Sequence, residues 1–428
     1  MLILCLVFIA TLIIGIPISF CLGISAVILL LIGDLGVSPV LFVPQQAFRA
    51  MDSFPLLAIP FFVLAGEIMG ISITPKLIMF ARACIGRIRG GLSYVTVLAC
   101  MFFGGVTGVG VAETAAIGSV MIPAMQLNGY SRGFSTAVVA ASSTLGPIIP
   151  PSVPMVIYAL SVGGSISVAG LFLGGVMPGI LLGLSFMVAS YIIAVKNDFP
   201  ISLEEFNIRK LITAFMEAFW ALLMPLIIVG GIISGFFTAT ESAVVAVVYA
   251  LLVRFFIYQD LKWEELPNHC VQAGIVTSVV LFLMGMASIV AWIITINNIP
   301  TLLVASLKSI TSNPDVLLFL IVILLSIAGC FIDSASNIVM FAPILAPLGA
   351  AFGIHPIHFG IVVIVTLMLG MITPPVGVIL FVASGISGEK FEVIVRNIIP
   401  FLYSSAVVLI LMVFFPRLVI FIPSLFGY

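Results

Sequence analysis

Residues 146–152 read Gly-Pro-Ile-Ile-Pro-Pro-Ser, and residues 370–376 read Gly-Met-Ile-Thr-Pro-Pro-Val. Each stretch lies inside an apolar run long enough to be a helix, 134–160 and 359–386. Paired prolines remove backbone donors and crowd the preceding turn, so each run is expected to be two half-helices with a break near its middle. The two breaks are 224 residues apart. The same offset carries Gly105 onto Gly329, Pro123 onto Pro347, Gly129 onto Gly353, Pro150 and Pro151 onto Pro374 and Pro375, and Ala159 onto Ala383. It fails at Gly133, which meets Ile357. The register holds without a gap from Gly105 to Ala159 and predicts an internal repeat, residues 1–210 and 211–428.

The surroundings of these breaks fix the solvent. Of 428 residues, 63% are hydrophobic and 7% charged, against about 25% charged in soluble domains; mean hydropathy is +1.40. An all-α polytopic membrane protein follows. A net charge of −1 gives no electrostatic case for a nucleic-acid partner. The six cysteines form no CxxC pair, and the three histidines, His269, His355 and His358, have no metal-ligand spacing. Without histidine–acid clusters, an embedded enzyme is not expected. The chain is apolar from Met1 with no basic region ahead of it, so the start reads as a first membrane helix rather than a removable signal.

Full spans are expected at 3–32, 54–74, 134–160, 169–195, 211–233, 235–256, 276–299, 359–386 and 398–424. Two further apolar regions, 92–126 and 315–350, are interrupted by Gly104-Gly105-Val106-Thr107-Gly108-Val109-Gly110 and by Gly329-Cys330-Phe331-Ile332-Asp333-Ser334-Ala335-Ser336-Asn337. Limbs of about 15 residues reach roughly 22 Å, short of a roughly 30 Å hydrocarbon core, so each region is expected to be a re-entrant helical hairpin. Segments 75–91, 127–133, 196–210, 254–275 and 387–397 fall on one side and hold 12 of the 15 basic residues, which makes that side cytoplasmic and the repeats inverted. Segments 39–53 and 263–275 mix polar with apolar residues and read as interfacial arm helices or as solvated loops.

Broken helices meeting at mid-membrane direct helix N-termini at an anion and free carbonyls for a small cation. The first half offers Thr107, Gly110, Ser143, Gly146, Pro150 and Ser152; the second offers Gly329, Asp333, Ser334, Ser336, Asn337, Gly370, Thr373 and Val376. Five acids lie in apolar context. Asp333, at a tip, is expected to contact a substrate hydroxyl or amide or, equally, to tune cation affinity; Glu113 and Glu241 are expected to cap helices; Glu67 and Glu217 read as interhelical partners.

Phe-Val-Leu-Ala-Gly-Glu-Ile-Met (62–69), Ala-Ala-Ile-Gly-Ser (115–119), Phe-Phe-Thr-Ala-Thr-Glu-Ser (236–242) and the two Pro-Pro stretches give nearly the whole chain a family likeness. It resembles the large membrane subunit of tripartite ATP-independent periplasmic (TRAP) transporters, the DctM-like or SiaM-like subunit. It departs at Thr107-Gly108-Val109-Gly110, where that family often shows serines, leaving a carbonyl as the contribution of Gly110. The resemblance implies an elevator-type Na⁺-coupled importer of an organic acid, such as sialic acid or a C4-dicarboxylate, in a bacterial inner membrane. It implies two partners: a periplasmic binding protein that delivers the substrate and a small four-helix membrane subunit. Thr107, Ser152 and Asp333 would face substrate; Thr107, Gly110, Gly146, Pro150, Gly329, Gly370, Thr373 and Val376 would hold Na⁺. The alternative on sequence is a stand-alone anion/Na⁺ symporter.

Overall fold

The computed structural model describes residues 2–32, 41–85, 88–163, 166–199 and 207–428. Regular elements among them are helices. The chain runs α1 (Leu2–Ile13), α2 (Ile18–Ile32), α3 (Val43–Met51), a 3-10 turn (Phe54–Leu57), α4 (Ala58–Ile85), α5 (Gly91–Thr107), α6 (Gly110–Leu127), α7 (Arg132–Ser142), α8 (Val153–Ser161) and α9 (Val168–Lys196). It continues through α10 (Ile208–Ile233), α11 (Ala239–Leu252), a π-helical turn (Val253–Tyr258), α12 (Leu266–Ile296), α13 (Ile299–Ile310), α14 (Pro314–Phe331) and α15 (Ser334–Ala351). Last come α16 (Pro356–Gly370), α17 (Val378–Ser387), α18 (Phe391–Phe414) and α19 (Arg417–Leu425). Among the described residues seven helices are long and apolar enough to cross a bilayer, or eight if the bent pair Val43–Met51 and Phe54–Gly70 counts as one. The chain is therefore a multi-pass membrane protein.

Both Pro-Pro runs are divided where the prolines require it, between α7 and α8 and between α16 and α17. Helix limits recur at the 224 offset: Gly110–Leu127 falls on Ser334–Ala351, and Thr107 on Phe331. Four expectations need correction. Residues 3–32 are two helices, because Gly15 takes a left-handed backbone (φ +87°) and Pro17 has no N–H to continue the ladder. Residues 398–424 are likewise divided, at Phe415-Pro416. The separate arm at 263–275 does not exist: α12 runs 31 residues from Leu266, since Gly274 alone does not end a helix. The limbs of the two interrupted regions have 17, 18, 18 and 18 residues, not about 15. They reach about 27 Å, and both limbs of the second are long enough to cross a bilayer. Their length therefore does not make them re-entrant. Of the arm 39–53, residues 39–40 lie outside the described residues; α3 forms within it and packs on α12, where the Ser288 hydroxyl donates to the Gln46 carbonyl (3.4 Å). The division expected at 210 falls in the first turn of α10.

Helix α9 serves as a ruler for the rest. Near its N-terminus Gly170 and Gly174 accept Ile357, at the start of α16. Near its C-terminus Ala194 touches Gly90, at the start of α5. These contacts are about 30 Å apart along the helix. Between them, Gly175 and Gly179 receive Ile148 and Ile149 of the first break, and Gly183 receives Met101 of α5. The outer ends of α5 and α16 thus lie at opposite ends of α9, and the first break lies at its middle. A Cβ at any of these glycines would come within about 3 Å of a neighbour, so only small residues allow the approach.

The basic segments expected on one side meet one another. Arg89 pairs with Asp198. Tyr130 packs on Phe199 at 4.9 Å, and Gly133 abuts Asn397. Lys76 lies 4.0 Å above the Tyr258 ring.

At that end a buried cation ties the π-helical turn to α4. Arg254, 2% exposed, donates from Nε to Asp260 Oδ1 (3.0 Å), from Nη1 to the Ile68 carbonyl (2.7 Å) and from Nη2 to the Asp260 carbonyl (3.2 Å). The Ser72 hydroxyl donates to the second Asp260 oxygen. Burial pushes the Asp260 carboxyl up, but the hydrogen bonds from Ser72 and Arg254 outweigh it and hold the group below its ordinary range. The clamp therefore persists at neutral pH and is lost only as pH falls below the usual carboxylate range. Arg254→Ala is expected to lower the stability of the detergent-solubilised chain by about 2 kcal/mol. Arg209→Ala, on the exposed start of α10, should change it by less than about 0.5 kcal/mol. Thermal unfolding of both variants checks this; equal midpoints would show that the clamp adds nothing.

Candidate transport site

Helix α5 ends at Thr107 because Gly108 takes a left-handed backbone (φ +60°), its N–H still donating to the Gly104 carbonyl (3.0 Å). Val109 is extended, and α6 starts at Gly110. This tip is pressed against the first break. A Cβ at Gly104 would lie 2.5 Å from Gly146 Cα; one at Gly108, 2.9 Å from the Pro151 carbonyl oxygen; one at Gly110, 3.0 Å from the Ser143 carbonyl oxygen. Thr107, Gly110, Gly146, Pro150 and Ser152 are thereby brought together. Ser152 is 1% exposed; its hydroxyl donates to the Pro147 carbonyl and accepts the Met155 N–H (3.3 Å), capping α8. Its oxygen is thus engaged within the break. Thr107 is buried too, and it forms part of a cavity wall.

The second tip repeats the arrangement. Gly329 abuts Gly370, with a Cβ at either lying 2.6–3.0 Å from the other's Cα. The Gly377 N–H donates to the Cys330 carbonyl (2.9 Å), joining break to tip directly. Thr373 donates to the Leu369 carbonyl (2.8 Å), and half-buried Val376 precedes Gly377, whose backbone is left-handed (φ +62°). Asp333 caps α15: its carboxylate accepts the Ser336 N–H (3.0 Å) and the Ser336 hydroxyl. Asn337 Nδ2 donates to the Ile332 carbonyl (2.9 Å). The Pro150–Pro151 and Pro374–Pro375 peptides are both cis.

The two assemblies interlock. α6 of the first half packs on α17 of the second, where Gly110 meets Ile379 and Gly118 meets Ile386; α8 packs on α15. Four helices therefore begin at the tips and breaks: α6, α8, α15 and α17. Their first N–H groups carry partial positive charge suited to an anion. Carbonyls freed at the breaks and the Thr107 and Thr373 hydroxyls are hard neutral oxygens suited to a small cation.

Beside the first tip lies a cavity of about 640 Å³ between α4, α5, α6 and α12, whose polar walls are Glu67, Thr74, Thr107 and Ser119. Glu67, read from sequence as an interhelical partner, is half-buried on that wall; the line Val63, Gly66, Glu67, Gly70, Thr74 at helical spacing was the available signal. Glu241 does cap α11, in a reciprocal box with Thr238. Glu113 does not cap α6: it is fully buried, its carboxyl meets the Cys100 thiol rather than the first N–H groups of α6, and Oε2 occupies the space a Cβ at Gly146 would need.

Over residues 5–418 the chain matches the family described as the tripartite ATP-independent periplasmic transporter, DctM component. It is 38% identical to the isethionate TRAP transporter permease protein DctMQ of Oleidesulfovibrio alaskensis, over 96% of this chain and 64% of that one, so it spans less than two thirds of that relative's length. It is 38% identical to the C4-dicarboxylate TRAP transporter large permease protein DctM of Pseudomonas aeruginosa, over 89% of each. It is 36% identical to the sialic acid TRAP transporter large permease protein SiaM of Vibrio cholerae, over 97% of this chain and 96% of that one. In fold it is similar to the Alcanivorax borkumensis YdaH transporter, with a TM-score of 0.64, 15% identity, and coverage of 96% and 97%.

Gly104→Ala places a methyl 2.5 Å from Gly146 Cα and is expected to destabilise by roughly 1–3 kcal/mol. Gly230→Ala, with open space around it, should be neutral or slightly stabilising. Comparing unfolding midpoints tests the close approach; equal effects would refute it.

Proposed function

The chain belongs to the DctM family of tripartite ATP-independent periplasmic transporters, and on that premise we propose that it imports a small organic acid across a bacterial inner membrane, coupled to Na⁺. A periplasmic binding protein delivers the acid, and a small four-helix membrane subunit completes the scaffold. The named substrates of relatives, isethionate, C4-dicarboxylate and sialic acid, share an anionic group and small size. This supports an organic anion here.

The observation that carries the proposal is the pressing of two helix tips onto two helix breaks. Gly104 on Gly146 and Gly329 on Gly370 leave four helix N-termini and a set of freed carbonyls around one region. The anion is held by those N-termini with Thr107, Ser152 and Asp333, and Na⁺ by Thr107, Gly110, Gly146 and Pro150 in one half and Gly329, Gly370, Thr373 and Val376 in the other. Ser152 and Asp333 act here chiefly by capping α8 and α15, which fixes where those N-termini point. The contacts of α5 and α16 at opposite ends of α9 support hairpins that enter from opposite faces as inverted repeats, with α5–α6 entering from the basic, cytoplasmic side. Elevator movement carries the tips and breaks as one body past α4 and α12, whose walls close the cavity at Thr107.

Reconstituted in proteoliposomes with its small subunit, the chain is expected to accumulate a candidate acid only with the cognate binding protein outside and an inward Na⁺ gradient. Asp333→Asn and Thr373→Ala should each slow this uptake about tenfold, equivalent to about 1.4 kcal/mol. Full uptake with K⁺ replacing Na⁺, or without binding protein, would refute the coupling or the tripartite reading respectively. Wild-type rates in both variants would refute the site.

A further inference from the structure

Glu113 presents a problem that the transport reading leaves unsolved. It is fully buried, and the weakly donating Cys100 thiol is the one partner its oxygens find among the described residues. Helix α6, which carries it, packs on α4, α5, α7 and α17. The basic residues of those helices lie elsewhere, Lys76 over the Tyr258 ring, Arg82 in the last turn of α4 and Arg132 at the start of α7; beside Glu113 lies the Cys100 thiol of α5, and the Ser143 hydroxyl of the break donates to the Val139 carbonyl (2.8 Å). Glu67 of α4 lines the cavity with Ala112, Ala115 and Ala116 of α6. A carboxylate withdrawn from water with one weak thiol donor and no counter-charge costs several kcal/mol. A shape that retains one in such a place points to a missing positive partner.

The location says which. Glu113 Oε2 fills the space above Gly146, against Gly104 of α5; in the same break the Ser143 carbonyl faces Gly110, one turn before Glu113. These are hard oxygen donors, and apart from Glu113 all of them are neutral. Neutral carbonyls and one hydroxyl solvate a monovalent cation but do not cancel its charge in a low-dielectric interior. We infer that Glu113 is the anionic member of a sodium site at the first break, supplying the negative charge that the carbonyls around Gly146 lack. The inference rests on the Na⁺-coupled reading and deepens it. It makes the first site the charge-balanced one, so that it stays filled while the tip and break cross the apolar interior.

The test reads ion binding rather than transport. The full-length chain in detergent is titrated with NaCl against choline chloride at constant ionic strength, and the unfolding midpoint is followed. Wild type should show a saturable rise with Na⁺. Glu113→Gln, which keeps shape and removes charge, should need at least about tenfold more Na⁺ for the same rise, matching the loss of about 1.4 kcal/mol. Should Glu113→Gln fail to fold, Glu113→Asp and Gly146→Ala carry the test: the first withdraws the carboxylate by one methylene, and the second displaces it with a methyl. Both are expected to weaken Na⁺ severalfold while K⁺ has no effect on either. An unchanged Na⁺ midpoint in Glu113→Gln, or in both substitutes, overturns the role of Glu113 and leaves Na⁺ coupling standing. The absence of any Na⁺ response in wild type overturns both together.

Discussion

Backbone amides and carbonyls released among apolar helices have no water to turn to, and the rest of this fold follows from how they are satisfied. The chain breaks its helices in two places and ends two helix pairs against those breaks. Each exposed tip is then covered by an exposed break. Glycine makes this possible, because backbone must approach backbone with nothing between, as at Gly104 and Gly146 and again at Gly329 and Gly370. In the second half the cover becomes a direct bond, Gly377 N–H to the Cys330 carbonyl. What remains unsatisfied after this mutual covering is available to solutes.

The breaks were legible because proline leaves a mark that no context erases, and two Pro-Pro pairs at one spacing mark two equivalent places. Tip positions were legible through glycine and polar residues within apolar runs. The ends of helices were read less well. A long apolar run such as 3–32 contains one glycine and one proline that the overall hydropathy hides, and the amphipathic start of α12 looked separable because polarity changes along a helix without the helix ending. Acids were hardest. Glu241 announced its role by a local pattern, Thr-x-x-Glu, that needs only four residues. The place of Glu113 depends on Gly146, 33 residues away, and that of Glu67 on the wall it shares with α5, α6 and α12; neither juxtaposition is written in neighbouring residues.

Two clusters of polar groups bear on the fold and the site. At one end, Arg254, Asp260, Ser72 and Lys76 join α4 to the π-helical turn and make a rigid corner. At the tips and breaks the polar groups are mostly backbone and hydroxyl, with Glu113, Asp333 and, on the adjoining cavity wall, Glu67 as the acids among them. No basic side chain among the described residues lines the cavity beside the first tip. On the proposed reading, an anion held there relies on helix ends and on the accompanying cation, which ties its affinity to the ion's.

The interlocking of the halves also acts in time. Helix α6 finishes at Leu127, and the helix that covers it, α17, does not begin until Val378. About 250 residues of synthesis separate them, roughly 12–50 s at 5–20 residues per second. Throughout that interval the first half has emerged but its partner surface does not exist. The face of α6 that awaits it includes Gly110 and Gly118, and its neighbours include Ala112, Ala115 and Ala116. Until α17 is made, this small-residue face of α6 has no protein surface from the second half to pack on, so the first half reaches its final packing only after the second is complete.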